Sequence, residues 1–556
     1  MNNEIIKVSI YCKNNDKKLS VEYGTTLCEL AKNENITLEY PLLGALVNNK
    51  VRSIDYKVHK PAVITFFDIT SAYGHDMYCR TLYFLLFKAV KDLYPQATLK
   101  VLHSISGGKY CDLENLQEPH SEEVTENIRK RMQQLANQKL PIERVELPTE
   151  EALELFRQNE LTDKSEIFRN RKRIFTHIHR LEGTINYYYG FLLPNTGYIT
   201  HFGLEWYENG LLLKLPSRKK PDIITKTYHL PKLFNIYQRH KQWVEMLGVP
   251  TVNDLNKKIL NGEVADVMLI TEALHEKEWV NIADEIHEQQ KKIVLISGPS
   301  SSGKTTSCKR LSIQLTLLGY DPVQISVDDF FVEREMTPKD EQGNYDFETL
   351  EAIDLKLFNN TLNQLLKGEE VALPTFNFTL GKKEWKGKTI QLKKNSILVV
   401  EGIHCLNPHL TDQIEDTVKY KIFVSALTSI SIDKQNPIPT TDNRLIRRII
   451  RDYNYRGYSA LETLRRWQSV RNGEEKNIFP YQENADVMVN TSLICEIGVL
   501  KRYAIPILRE VPETEIEYAE ATRLLKFLSF FRSIPEEYVP GTSILREFVG
   551  GSRFNY

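Results

Sequence analysis

The clearest chemical content lies between residues 293 and 306, Ile-Val-Leu-Ile-Ser-Gly-Pro-Ser-Ser-Ser-Gly-Lys-Thr-Thr. Gly298 and Gly303 bracket four residues ahead of Lys304 and Thr305, which is P-loop spacing. Small residues let successive backbone N–H groups turn inward, where they and the positive end of the following helix hold an anion. Gly298, Ser300, Ser301, Ser302, Gly303, Lys304, Thr305 and Thr306 are therefore expected to cradle the phosphates of ATP. Lys304 would reach the β- and γ-phosphates and the Thr305 hydroxyl would face Mg²⁺.

Acids follow at two further points. Val323–Val327 reads as a strand running into Asp328 and Asp329, and Ile397–Val400 as a strand running into Glu401. Strands alternating with helices imply a parallel sheet, whose ligands sit at the carboxyl ends of the strands. Cradle, Asp328 and Glu401 then converge. One carboxylate can take a proton from a bound hydroxyl while others hold a cation bridging the phosphates, so the chemistry assembled is phosphoryl transfer to an alcohol. Arg444, Arg447, Arg448 and Arg451 recur at helix spacing, and guanidinium groups suit the charge that builds during transfer. An exposed basic helix is the plainer alternative.

These residues need elements to hold them. An apolar strand enters the loop, and Cys308, Leu311, Leu315 and Leu318 place an amphipathic helix after it. A chain of 556 residues is long enough for several domains. The 72 basic and 73 acidic residues nearly cancel, so no overall field recruits nucleic acid or membrane. The seven cysteines are scattered and odd in number, which points to free thiols in a reducing compartment. With no apolar signal core or spanning stretch, a cytoplasmic protein without membrane contact is expected.

The loop half, residues 291–510, resembles the uridine kinase and phosphoribulokinase family. The carrying segments are Ser326–Phe331, Tyr345-Asp346-Phe347, Glu401-Gly402-Ile403 and the arginine-rich run Asp442–Asp452 with Arg456-Gly457. The resemblance implies Asp328 as catalytic base, Lys304 on the phosphates, and Thr305, Glu401 and Asp328 around the metal. It implies Tyr345 and Asp346 at an acceptor sugar, and a lid in which Arg447 meets the transferred phosphate while Arg444 and Arg456 face the substrate. Phe376 and Phe378 keep two rings that could stack a base, with core packing as the alternative. Gly381 and Thr463 stand where base-reading His and Gln residues occur in relatives. The implied reaction is ATP-dependent 5′-phosphorylation of a uridine- or cytidine-like nucleoside. A sugar-phosphate kinase and a nucleotide-dependent, RNA- or ribosome-associated regulator remain alternatives.

Residues 1–70 resemble the TGS domain, a β-grasp module, with Gly24-Thr25-Thr26 opening a helix. Residues 71–221, through Ser71–Asp76 and the helix pattern to Tyr94-Pro95, resemble the α+β second N-terminal domain of threonyl- and alanyl-tRNA synthetases. The zinc ligands of that domain fall here on Arg80, Phe84, Tyr188 and Leu192, and Arg, Phe and Leu cannot hold zinc. The resemblance thus implies a binding or scaffolding remnant, with RNA contact as its partner expectation. His177, His179 and His201 read as solvated or packed, and the Arg169–Arg173 and Arg218–Lys220 runs as solvated faces. Residues 222–290 read as a helical connector in which Asn253 or Asp254 caps a helix, and residues 511–556 as a docked helical tail. Oligomeric state is left open.

Overall fold

The computed structural model describes residues 6–171, 173–339, 343, 345–377 and 380–555. Phe378 and Lys172 lie outside the described residues.

The run Ile293–Ser297 is buried throughout and forms the middle strand of a five-stranded sheet. Its order is Asp321–Ser326, Ser396–Glu401, Ile293–Ser297, Lys419–Ser425, Val487–Asn490, every neighbour parallel. A strand covered on both faces is apolar at every position, and the pleat decides which side each residue serves. Ile293, Leu295, Leu398 and Val400 pack with Phe330, Phe358 and Leu362. Val294, Ile296, Ile397 and Val399 pack with Trp279, Ile286 and Leu311. The expected parallel sheet flanked by helices is this layer.

Helices occupy Pro231–Met246, Val252–Leu260 and Val264–Glu288 in the expected connector. The last covers one sheet face with Trp279 and Ile286. It also grips the cradle helix Lys304–Leu317, because Arg310 donates to Glu272 at 3.0 Å and to Glu276 at 2.7 Å. The cap differs from expectation: Thr251 is the N-cap, and Asp254 is its reciprocal partner in a capping box. Pro250 forces an extended residue before it, so the cap falls directly after the proline.

At the N-terminal end a mixed five-stranded sheet runs Lys17–Glu22, Lys7–Cys12, Ala62–Phe67, Gly44–Val47, Lys50–Ser53. The helix Leu27–Asn33 buries Leu27, Leu30 and Ala31 and is capped by Thr26 with Glu29. The helix Ala72–Leu93 is capped by Ser71, whose hydroxyl accepts from the Gly74 amide. Around it lie a four-stranded sheet (Thr98–Ile105, Gly108–Glu114, Gly210–Lys214, Gly203–Tyr207) and a three-stranded one (Glu143–Pro148, Phe175–Leu181, Thr184–Asn186). Fully buried Lys164 donates to Asp433 at 2.8 Å and Gln435 at 2.7 Å, joining this region to the parallel-sheet half. The tail holds the helix Tyr518–Leu528 and fully buried Leu545 and Phe548. All seven cysteines are free, and no described helix is long and apolar enough to cross a membrane.

Candidate active site

The cradle is held from behind. The Ser300 carbonyl accepts from Arg444 Nε at 3.0 Å, the Ser301 carbonyl from Arg447 at 3.3 Å, and the Ser302 carbonyl from Thr491 Oγ1 at 2.6 Å. Lys304 Nζ donates to the Gly298 carbonyl at 3.0 Å. A peptide whose carbonyl is tied outward turns the following N–H to the other side, so these ties aim the loop amides into the cradle. Ser301 and Gly303 have φ of 59° and 82°, and only the second position is a glycine. A Cβ at Gly298 would sit 2.1 Å from the Val424 carbonyl, so the first glycine is required by close approach. The Ser301 and Ser302 hydroxyls are buried with no partner among the described residues. Unpaired donors, first-turn amides without carbonyls ahead of them, and Lys304 together fit a polyphosphate.

The oxygen donors sit at neighbouring strand ends. Glu401 accepts from the Thr305 hydroxyl at 3.2 Å. Burial lifts the Glu401 carboxyl to about 7, with Asp328 and Glu547 adding to the shift and Lys304 opposing it. Asp328 opens onto the cleft at the end of the strand Asp321–Ser326. Enclosure by the cleft walls raises its pKa, while Lys304, Arg456 and Arg451 pull it back. Thr305, Glu401 and Asp328 form an oxygen-only donor set, the type a hard cation such as Mg²⁺ takes. Asp329 instead accepts from the Phe376 amide at 3.2 Å and serves the fold.

The helix expected to act as a lid spans Thr440–Arg456, and its arginines divide between two settings. Arg444 is 1% exposed and paired with buried Glu474; Arg447 is 0% exposed and donates to Glu496 at 2.6 Å. The expectation that Arg447 meets the transferred phosphate and Arg444 the substrate is corrected by this placement: both brace the loop from behind. Their register points into the protein because Leu445, Ile446, Ile449 and Ile450 bury the adjoining arc. Arg448, Arg451 and Arg456 remain around Asp452 at 3.3, 2.9 and 3.6 Å. Arg448 also donates to Ser300 Oγ at 2.7 Å. Arg451, then burial, push Arg456 down to about 10.

Of the residues expected at an acceptor sugar, Asp346 accepts from the Glu348 amide at 3.0 Å, and Tyr345 is exposed beside Lys339. Phe376 is 5% exposed and packs against Phe331 in the core, which corrects its expected stacking role. Sequence reasoning missed Glu348. Burial raises its carboxyl to about 7, Glu474 and Asp328 add to this, and Arg448 and Lys304 oppose it. It also missed Glu474, which accepts from the Ser300 amide at 3.1 Å, and Glu547 of the tail, which accepts from Thr306 Oγ1 at 2.5 Å. Ile544 presses on the loop, 2.1 Å from where a Cβ of Gly303 would stand.

In the N-terminal region Phe84, Tyr188 and Leu192 are buried together, the first two rings 5.3 Å apart. Arg80 Nε donates to the Phe191 carbonyl at 3.1 Å. Phe84 and Tyr188 belong to the same apolar core as Leu192. His179 is buried and His177 lies 3.5 Å from Glu146, while His201 pairs with Thr200. The Arg169–Arg173 run is not wholly solvated: Arg171 lies 3.9 Å over the Phe530 ring.

Residues 293–495 match the Phosphoribulokinase / Uridine kinase family. The chain is 26% identical over 210 residues to Uridine-cytidine kinase 2-B of Danio rerio, covering 35% of this chain and 72% of that one. It is 26% identical over 199 residues to the uridine kinase of Ureaplasma parvum, covering 35% and 86%. Its N-terminal part is 28% identical over 166 residues to the threonine–tRNA ligase of Clostridium kluyveri, covering 30% of this chain. The chain spans about a quarter of that ligase's length.

Proposed function

We propose, from the match of residues 293–495 to the Phosphoribulokinase / Uridine kinase family, an ATP- and Mg²⁺-dependent kinase that phosphorylates the 5′-hydroxyl of a uridine- or cytidine-like nucleoside. The observation that carries this reading is Asp328, which opens onto the cleft within the fields of Lys304, Arg451 and Arg456. A carboxylate there can accept the proton of an attacking hydroxyl, and the cations stabilise charge on the group being transferred. Thr305, Glu401 and Asp328 would hold Mg²⁺, which when bound neutralises phosphate charge. Lys304 binds the donor phosphates, and Arg448, Arg451 and Arg456 close on them from the lid. Tyr345 and Asp346 orient the sugar. The uridine kinase relatives support a nucleoside acceptor.

In the same reading residues 1–70 are a TGS-like β-grasp domain and residues 71–221 an editing-like domain without metal chemistry. Residues 222–290 are a helical layer on the kinase domain 291–510, and 511–556 are its tail. The test is a nucleoside panel incubated with Mg²⁺ and ATP and read by mass. A monophosphate product is expected, and Asp328→Asn should abolish it while nucleotide binding persists. No turnover of any nucleoside, with turnover of a pentose phosphate, would sink this reading.

A further inference from the structure

The synthetase-like region and the tail together build a second cationic site, remote in sequence from the cradle. Three consecutive residues, Tyr189-Gly190-Phe191, receive three cations. Arg80 donates to the Phe191 carbonyl at 3.1 Å and would stand 2.8 Å from a Cβ on Gly190. Arg144 lies 4.4 Å over the Phe191 ring, and Lys526 lies 5.2 Å from the centre of the Tyr189 ring. Arg171 adjoins them: it stacks on Phe530, whose ring is 5.8 Å from that of Tyr189, and it donates to Ser529 Oγ at 2.8 Å.

The charge is largely unanswered. Asp76 lies 3.5 Å from Arg80, and Glu146 faces His177 at 3.5 Å near Arg144. Among the described residues no carboxylate pairs with Arg144, Arg171, Arg173 or Lys526 within ion-pair distance. Burial pushes Lys526 down to about 7, and Arg144, Arg171, Arg80 and Arg173 each add to the shift. Like charges gathered this closely cost free energy that an anion would return. The site is composite, since Lys526 comes from the tail helix. On that helix Arg523 holds Asp442, in the first turn of the lid helix, through two 2.7 Å bonds.

We propose that Arg80, Arg144, Arg171 and Lys526 form a phosphate-binding site that takes the phosphate of a free nucleotide or of an RNA strand. Guanidinium forks suit phosphate oxygens, and the aromatic platform holds the forks in place.

The test uses the full chain carrying Lys304→Ala, which weakens the cradle, titrated calorimetrically at low salt with AMP, inorganic phosphate and a 5′-phosphorylated RNA decamer in turn. At least one probe should bind. Arg144→Glu and Lys526→Gln should each weaken binding about tenfold or more, whereas Arg129→Glu, on an exposed helix face, should not. Preference for AMP or phosphate identifies a free-nucleotide or small-anion site. Preference for the decamer, with affinity falling at a log–log salt slope of about 2, identifies RNA. Failure of all three probes, or binding indifferent to both Arg144→Glu and Lys526→Gln, overturns the proposal.

Discussion

The Glu547 carboxylate accepts a 2.5 Å hydrogen bond from the Thr306 hydroxyl, which places a tail anion at the first turn of the phosphate-binding helix. Ile544 closes over Gly303 beside it. An anion at an anion-binding helix end opposes a second one, and two charges about 5 Å apart at an effective dielectric of ~20 repel by about 3 kcal/mol. Glu547→Gln keeps the hydrogen bond and removes the charge. It should tighten ATP or ADP binding by roughly a hundredfold, read by calorimetry. Weaker binding would show instead that the carboxylate is a nucleotide contact.

Arg447 and Glu496 make a fully buried pair beneath Ser301. Removing one partner leaves the other charge stranded, which typically costs about 3–5 kcal/mol, whereas replacing both by apolar residues costs much less. Arg447→Met should lower the unfolding midpoint sharply, and adding Glu496→Leu should recover more than half of the loss. A stability unchanged by Arg447→Met, with kcat collapsed, would return Arg447 to the transferred phosphate.

Glu401 supplies a pH signature. Its carboxyl is raised to about 7 from an ordinary value of 4.5, chiefly by burial. A raised acid favours the fold while it stays protonated, so its contribution is complete below about 4.5 and is lost as pH rises through 7. Glu401→Gln is neutral at every pH. The midpoint of the variant minus that of the wild type, without nucleotide, should therefore grow between pH 5 and pH 8. A flat difference would mean that Glu401 is already ionised in the empty site.

Local spacing made the cradle legible, and the parallel sheet made Asp328 and Glu401 legible, because strand ends in such a sheet lie side by side. Two relationships were not legible. Thr306 and Glu547 are 241 residues apart, and no periodicity connects a tail carboxylate to a loop hydroxyl. The lid arginines share a helical arc in sequence, yet the helix is buried on most sides, so tertiary packing sends Arg444 and Arg447 inward and leaves Arg448, Arg451 and Arg456 around Asp452. Phe376 follows the same rule: an aromatic pair reads alike whether it stacks a ligand or fills a core, and Phe331 decides the matter by packing on it.

That division of labour yields a last prediction, for Arg456. Its side chain is half exposed, it sits in the field of Asp328, and Arg451 beside it depresses its pKa to about 10. A guanidinium that is crowded by another cation and held by a shared carboxylate is poised for an added anion. Arg456→Ala removes no buried pair, so the unfolding midpoint should stay within about 2 °C of wild type. If Arg456 meets charge that develops during transfer, its loss should lower kcat by about 10²-fold, or ~2.7 kcal/mol, and leave the KM for ATP nearly unchanged. A rise in that KM with kcat unchanged would instead make Arg456 a ground-state contact of the donor. Arg444→Ala, made in parallel, should reverse the pattern by lowering stability, because it leaves fully buried Glu474 with Arg471 as its one remaining cation and frees the Ser300 carbonyl.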